Sequence, residues 1–170
     1  MKESGWLCRT RPKKVPNLGK TYHVTDNKLD RDFQVDKPME KLVTDITYLY
    51  FGNCRLYLSS TVDLYNREIV AYTISECQDT DFVPDTLNQL EIPQGVLLHS
   101  DPGSVYTSKA YYQACIEKGI TRSMSRKETP ADNACIEWFH PVLKSEIFYL
   151  HKWRNLTKDN ITDIVKNYII

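Results

Sequence analysis

The sequence has no apolar run near the roughly 20 residues that a membrane-spanning helix needs. Its start, Met1-Lys2-Glu3-Ser4-Gly5, lacks the apolar core of a secretory signal. Its five cysteines, Cys8, Cys54, Cys77, Cys115 and Cys135, include no C-x-x-C pair. An odd and widely spaced set argues against a zinc site or a disulfide framework and fits free thiols in a reducing compartment. A Walker loop and a G-x-S-x-G nucleophile motif are both missing, so neither nucleotide hydrolysis on a P-loop nor serine acyl transfer is indicated. Net charge is missing too, because 22 Lys+Arg balance 22 Asp+Glu in 170 residues. An overall basic excess, the usual footprint of nucleic-acid binding, is therefore absent.

What is present is an ordinary globular composition, 41% hydrophobic and 26% charged, in a chain long enough to bury a core without disulfide or metal staples. The charge is unevenly spread. Residues 1–20 carry six basic residues against one acid, residues 60–106 one basic residue against eight acids, and residues 121–158 seven basic residues against four acids. Two basic segments flank an acidic middle, and phosphate responds to local potential rather than to the sum.

Residues 1–37 are polar and rich in Lys, Pro, Asn and Asp, and they read as an N-terminal arm or linker. Residues 38–170 read as the folded core. Leu42 to Phe51, Cys54 to Val62 and Glu68 to Ser75 are rich in β-branched and aromatic residues and are separated by turn sequences at Gly52-Asn53 and Asp63 to Arg67. They predict an antiparallel meander. Asp79 to Gln89 predicts a helix, with Pro84 tolerated near its first turn. Gly95 to His99 predicts a short buried strand. Ser108 to Lys118 predicts a helix closed by Gly119, Ile120 to Met124 a strand, Arg126 to Asp132 a loop, and Asn133 to Tyr149 a helix interrupted by Pro141. A last helix, Thr157 to Ile170, has Thr157 as N-cap and no stop signal, so the chain reads as cut off inside an element. The order β-β-β-α-β-α-β-α-α implies an α/β fold, a mixed sheet with helices on its faces.

Three acids stand out. Asp45 sits in an otherwise apolar strand, where a carboxylate is costly to bury unless it is paired or bound to metal. Asp101 follows the strand ending at His99, at the carboxyl end where α/β sheets place ligands; Asp101-Pro102-Gly103 is equally a good turn sequence. Glu137 lies one turn into a helix whose apolar side is Ile136, Phe139 and Leu143, and on its own reads as well as an exposed helix acid.

Their wording and spacing, with 35 residues between Asp101 and Glu137, carry a resemblance. The segments Val43-Thr44-Asp45-Ile46-Thr47-Tyr48, Val62-Asp63-Leu64 through Val70, His99-Ser100-Asp101-Pro102-Gly103-Ser104-Val105-Tyr106-Thr107-Ser108, Ser123 to Lys127, and Asp132-Asn133-Ala134-Cys135-Ile136-Glu137 through Glu146 resemble the catalytic core of the integrase-like DDE transposases of bacterial insertion sequences. These enzymes are relatives of retroviral integrases. The resemblance runs from about Asp32 to the C-terminus. It implies a ribonuclease-H-like fold with a five-stranded mixed sheet, and it carries the family's catalytic and metal-binding acids onto Asp45, Asp101 and Glu137. It carries the family's basic residue onto Lys144, two helical turns beyond Glu137.

The implied activity is metal-dependent cleavage of DNA and transfer of a 3′-hydroxyl to a target phosphate, with two Mg²⁺ (or Mn²⁺) ions. Paired divalent ions about 3.5–4 Å apart stabilise the attacking and leaving oxygens, so no side-chain nucleophile is needed. The partners implied are element-end and target DNA and further copies of the chain on that DNA, with no membrane role and a location in the bacterial cytoplasm at the nucleoid. Arg126, Lys127 and Asn133 are candidate DNA contacts. Asn133 reads first as a cap of the Glu137 helix, while Arg126 and Lys127 read equally as a solvated loop. His99, Trp138 and Trp153 read as packing residues. A hydrolysis-only nuclease of the same fold and an inert DNA-binding fragment are the alternatives. Leu42 replaces the family's usual Trp, Pro102 replaces its usual Gln, and Pro141 threatens the helix that bears Glu137, because it clashes with the Glu137 carbonyl.

Overall fold

A computed structural model of the chain describes residues 23–51, 54–149 and 157–169. Most of the basic arm, the Gly52-Asn53 turn, Trp153 and the final residue lie outside them. The elements are β1 (Lys41–Phe51), β2 (Cys54–Asp63), β3 (Ile69–Ser75), α1 (Phe82–Asn88), β4 (Leu97–Ser100), α2 (Lys109–Glu117), β5 (Thr121–Met124), α3 (Ala134–Lys144) and α4 (Lys158–Ile169). Their order is the expected one. The five strands form one sheet in the order β3-β2-β1-β4-β5. The first three strands pair antiparallel, whereas β4 pairs parallel with both β1 and β5.

Alternation along β1 sends two sets of side chains to opposite faces. Leu42 joins Tyr57, Phe82, Leu87, Leu98, Tyr106, Tyr111 and Met124 in the core beneath α1 and α2. Leu49 and Phe51 join Leu56, Leu58, Leu143, Ile161 and Val165 beneath α3 and α4. Helices thus cover both faces, and the sheet between them is buried as a mixed sheet must be.

Two helices differ from the sequence expectation. The first begins at Phe82 rather than near Asp79, because the Asp79 carboxylate accepts the Phe82 amide at 3.0 Å and holds the preceding residues out of the helix. The Glu137 helix ends at Lys144 and passes into a wider π-type turn over Ser145–Tyr149. Pro141 does not break it. Pro141 is exposed, whereas Ile136, His140 and Leu143 on the opposite side are buried. Packing on both sides of the proline retains the helix, and the carbonyl it frees can be hydrated. Ser108 and Gly119 close α2 as expected: the Ser108 hydroxyl accepts the Tyr111 amide, and Gly119 has φ +66.

Residues from His23 onward lie against the sheet. The Ser123 hydroxyl accepts the amides of Lys28 and Leu29 at 2.8 and 3.0 Å, and Leu29, 2% exposed, enters a cluster with Val43, Val62, Leu64 and Ile136. Leu29→Ala is expected to lower unfolding stability by about 2–5 kcal/mol, the range for a buried Leu that leaves a cavity. Urea denaturation of the full chain checks this; a loss below about 0.5 kcal/mol would show that the segment is not part of the cooperative unit.

Candidate active site

The parallel register of β4 on β1, Lys41↔Leu97 to Val43↔His99, sets both sequence-predicted aspartates at one end of the sheet. Asp45 lies two residues past the last paired position of β1, and Asp101 directly follows β4. They line one cleft of about 150 Å³ with Ile46, Tyr48, Gln78, Gly103, Ser104, Val105 and Tyr106. Burial raises the pKa of Asp101, and the charge of Asp45 raises it further, against the opposing pull of the Gly103 amide. That amide donates to Asp101 Oδ1 at 3.1 Å. A Cβ at position 103 would stand 2.9 Å from the same oxygen, so the glycine keeps the carboxylate in place.

Tyr106 closes the floor of the cleft. It is buried, its hydroxyl lies 3.5 Å from Thr44 Oγ1, and burial with the charge of Asp45 keeps it a neutral phenol. Sequence reasoning assigned it no role, although it stands within the segment that follows Asp101.

The α3 side is built differently. Ser60 is the cross-strand partner of Asp45, so both face α3. His140 descends from α3 between them, with Nε2 3.1 Å from Ser60 Oγ and Nδ1 3.5 Å from Asp45 Oδ2. This residue was missed. The signal for it is helical spacing: His140 is four residues from Ile136 and three from Leu143, and therefore shares their buried side. Lys144 lies one turn further along. Burial lowers its pKa while the charge of Asp45 raises it, which puts its ammonium in the electrostatic reach of that carboxylate.

Glu137 is exposed on α3. It does not line the cleft, and among the described residues no three or more His, Cys, Asp or Glu are placed to hold a metal ion. Two carboxylates are thus assembled, and the third is carried by the helix that packs beside them.

The predicted DNA contacts fare unequally. Arg126 is engaged by Asp132 through Nε at 2.8 Å and Nη2 at 2.7 Å, and it also meets Asp30. Its guanidinium is committed to holding the loop before α3. Lys127 is exposed on that loop. Asn133 occupies the position preceding α3, but its side chain makes no capping bond; the chain enters α3 from a 3-10 turn, Pro130–Asn133, and the amide is buried with Oδ1 unpartnered. Trp138, expected in packing, is 63% exposed. It faces away from the side defined by Ile136, His140 and Leu143 and forms part of the wall of an apolar cavity with Phe33, Leu64 and Cys135. His99 is a packed residue, as expected: its ring nitrogens meet Ser123 and Ser125 hydroxyls, and burial pushes its pKa down to about 4.

The paired acids, Asp45 within β1 and Asp101 just past the carboxyl end of the adjacent β4, with helices on both faces, define an integrase-like α/β core, and comparison with known proteins agrees. The integrase core domain profile matches residues 35–130. The chain is 38% identical over 156 residues to the putative transposase InsK of insertion sequence IS150 from Escherichia coli, covering 88% of this chain and 55% of that protein. It is 36% identical over 155 residues to an uncharacterized transposase-like protein of Haemophilus influenzae, covering 89% of this chain and 70% of that one. It therefore spans about half the length of the first relative. Among solved structures, the catalytic core domain of HTLV-2 integrase in complex with magnesium aligns with TM-score 0.57 at 16% identity, over 75% of this chain and 83% of that one. A simian T-cell lymphotropic virus intasome in complex with PP2A regulatory subunit B56 gamma aligns with TM-score 0.64 at 20% identity, over 75% of this chain and 47% of that one. The chain belongs to the integrase core domain family, with a ribonuclease-H-like fold.

The raised pKa of Asp101 has a stability consequence. An acid whose pKa is higher in the folded state binds its proton more tightly there, so stability falls as pH rises above the ordinary carboxylate range near 4. With chelator present, Asp101→Asn is expected to raise Tm at pH 7, and the gain should shrink to nothing as pH is lowered below about 4. Melting curves across that range check both the sign and the pH window.

Proposed function

We propose that this chain is the catalytic core of an insertion-sequence transposase, which cleaves DNA at element ends and joins the freed 3′-hydroxyl to a target phosphate. The carrying observation is the pairing of Asp45 and Asp101 in one cleft, with Asp101 destabilised by burial and by its neighbour's charge. Such a donor set suits a hard divalent cation, which prefers carboxylate oxygen. Asp45 and Asp101 would hold Mg²⁺ or Mn²⁺ with Glu137 as the third acid, and bound ions would stabilise charge on the attacking and leaving oxygens.

The chain's own residues supply the rest of the site. His140 orients the Asp45 carboxylate from the α3 side, bracing itself on Ser60. Gly103 fixes Asp101. Lys144, within the field of Asp45, is positioned to meet a DNA phosphate, and Lys127 offers a second positive charge on the exposed loop before α3. Element-end DNA, target DNA and further copies of the chain are the partners of this reading, in the cytoplasm of a bacterial cell. The described residues include no helix long and apolar enough to cross a membrane.

Titrating Mg²⁺ or Mn²⁺ is expected to raise Tm of the native chain, because a ligand bound only by the folded state stabilises it by linkage. Asp45→Asn should lose most of that rise. If the native protein gains nothing and Asp45→Asn loses nothing, the metal-site reading is wrong. Strand transfer with a pre-nicked DNA end separates the transposase from a hydrolysis-only nuclease, which would cut but not join. Gly103→Ala, by displacing the Asp101 carboxylate, is expected to slow strand cleavage about 10- to 100-fold with little change in Tm.

A further inference from the structure

Beyond Asp45, β1 leaves β4 behind. The two strands pair only over Lys41–Val43, whereas β2 stays paired with β1 as far as Phe51. The β1–β2 ribbon therefore runs on past the cleft, and β4 does not cover that stretch of β1. Here Tyr48 and Tyr50 are 39% and 65% exposed. Their rings are 6.1 Å apart and inclined by 26°. Tyr48 is also a wall of the cleft that holds Asp45 and Asp101.

The pair is supported from beneath and from the side. Tyr57, buried on β2, meets Tyr48 edge-on at 5.3 Å and rests in turn against Phe82 at 6.4 Å. Arg55, the register partner of Tyr50, sets its guanidinium 5.6 Å from the Tyr48 ring and 4.8 Å from the Tyr57 ring. Core packing accounts for Tyr57. It does not account for Tyr50, whose ring is mostly in water.

A flat, exposed aromatic surface with a guanidinium beside it matches one chemistry closely. Nucleobases stack on Tyr with little regard for sequence, and Arg neutralises the phosphates between them. A strand advances about 3.3 Å per residue. Tyr48 and Tyr50 thus lie roughly 10 and 16 Å along β1 from Asp45 and on the opposite face of that strand, but the cleft that Tyr48 shares with Asp45 and Asp101 opens past the end of β4 to both faces and leaves the rings a few nucleotides' reach from a phosphate held at the acids. Base faces inside a duplex are already stacked, so the occupant must be unpaired.

We propose that Tyr48 and Tyr50, flanked by Arg55, form a stacking platform for unpaired nucleotides of the DNA end whose phosphate is held at Asp45 and Asp101. The inference rests on the DNA-processing reading of that cleft. It adds the substrate feature that the cleft alone does not define: an end that is frayed or single-stranded next to the reacting phosphate.

The test is a binding titration of the full chain in Mg²⁺ with two duplexes of the same sequence, one blunt and one bearing about four unpaired nucleotides that include 2-aminopurine. The tailed duplex is expected to bind about tenfold more tightly or better, with quenching of the 2-aminopurine by stacking. The double substitution Tyr48→Ala with Tyr50→Ala should abolish both effects. Tyr48→Phe with Tyr50→Phe should keep both, since the ring and not the hydroxyl does the stacking, and Tm confirms folding of each variant. Equal binding of the two duplexes by the native chain, or quenching that survives the alanine pair, overturns the platform. Strand cleavage by the same preparation would then leave the DNA-processing reading standing, whereas failure to bind or cut either duplex would remove both.

Discussion

Three residues of parallel pairing between β1 and β4 decide where the acids of this protein meet. The register Lys41↔Leu97, Leu42↔Leu98, Val43↔His99 brings Asp45 and the chain just after Ser100 to the same end of the sheet. A slip of one residue would turn Asp45 to the α1 side and away from Ser60, His140 and Lys144. The pairing is held by the burial of Leu42, Val43 and Leu98, all 1% exposed or less. Apolar packing thus holds together two carboxylates that electrostatics alone would separate, and Asp101, its pKa raised first by burial and then by the charge of Asp45, carries the cost.

A second carboxylate solves a different problem. Asp132 is fully buried and accepts from Arg126, Arg31 and Asn27. Its pKa is held far below the usual range, with the bonded Arg126 guanidinium the largest cause. This hub ties Asn27 and Arg31, 105 and 101 residues earlier in the chain, to the loop after β5 and the turn that launches α3. These bonds anchor the turn at the start of α3, the helix that carries His140 and Lys144. Removing one partner from such a buried group leaves charge uncompensated, which is far more costly than losing an exposed ion pair.

The sheet and the element order were legible because their signals are local. β-branched and aromatic runs separated by turns mark β1, β2 and β3, and Ser108 and Gly119 mark the ends of α2. Asp45 stood out in the sequence because a carboxylate interrupts an apolar strand pattern, and Asp101 because it directly follows a short buried strand. What escaped was the long-range chemistry. Nothing near Asn133 in sequence shows that a 3-10 turn buries its amide instead of letting it cap α3. Nothing near Arg126 shows that Asp132 and Asp30 take its guanidinium. Trp138 looked like a core residue by type, yet only the buried side set by Ile136, His140 and Leu143 decides which way it points. Pro141 breaks a helix by propensity, and packing overrode propensity because the proline falls on the exposed side.

Charge neutrality also takes on a different meaning once the residues are placed. Two acids, Asp45 and Asp101, line the cleft. Arg126 is committed to Asp132, and Lys144 is half-buried, its proton affinity lowered by desolvation and supported by Asp45. On the DNA-processing reading, phosphate can settle at Asp45 and Asp101 only after divalent charge has done so. On that same reading, metal binds before phosphate. The aromatic surface of Tyr48 and Tyr50 is consistent with that order: stacking attracts bases without net charge, and can hold a strand beside an acidic site that would otherwise repel it.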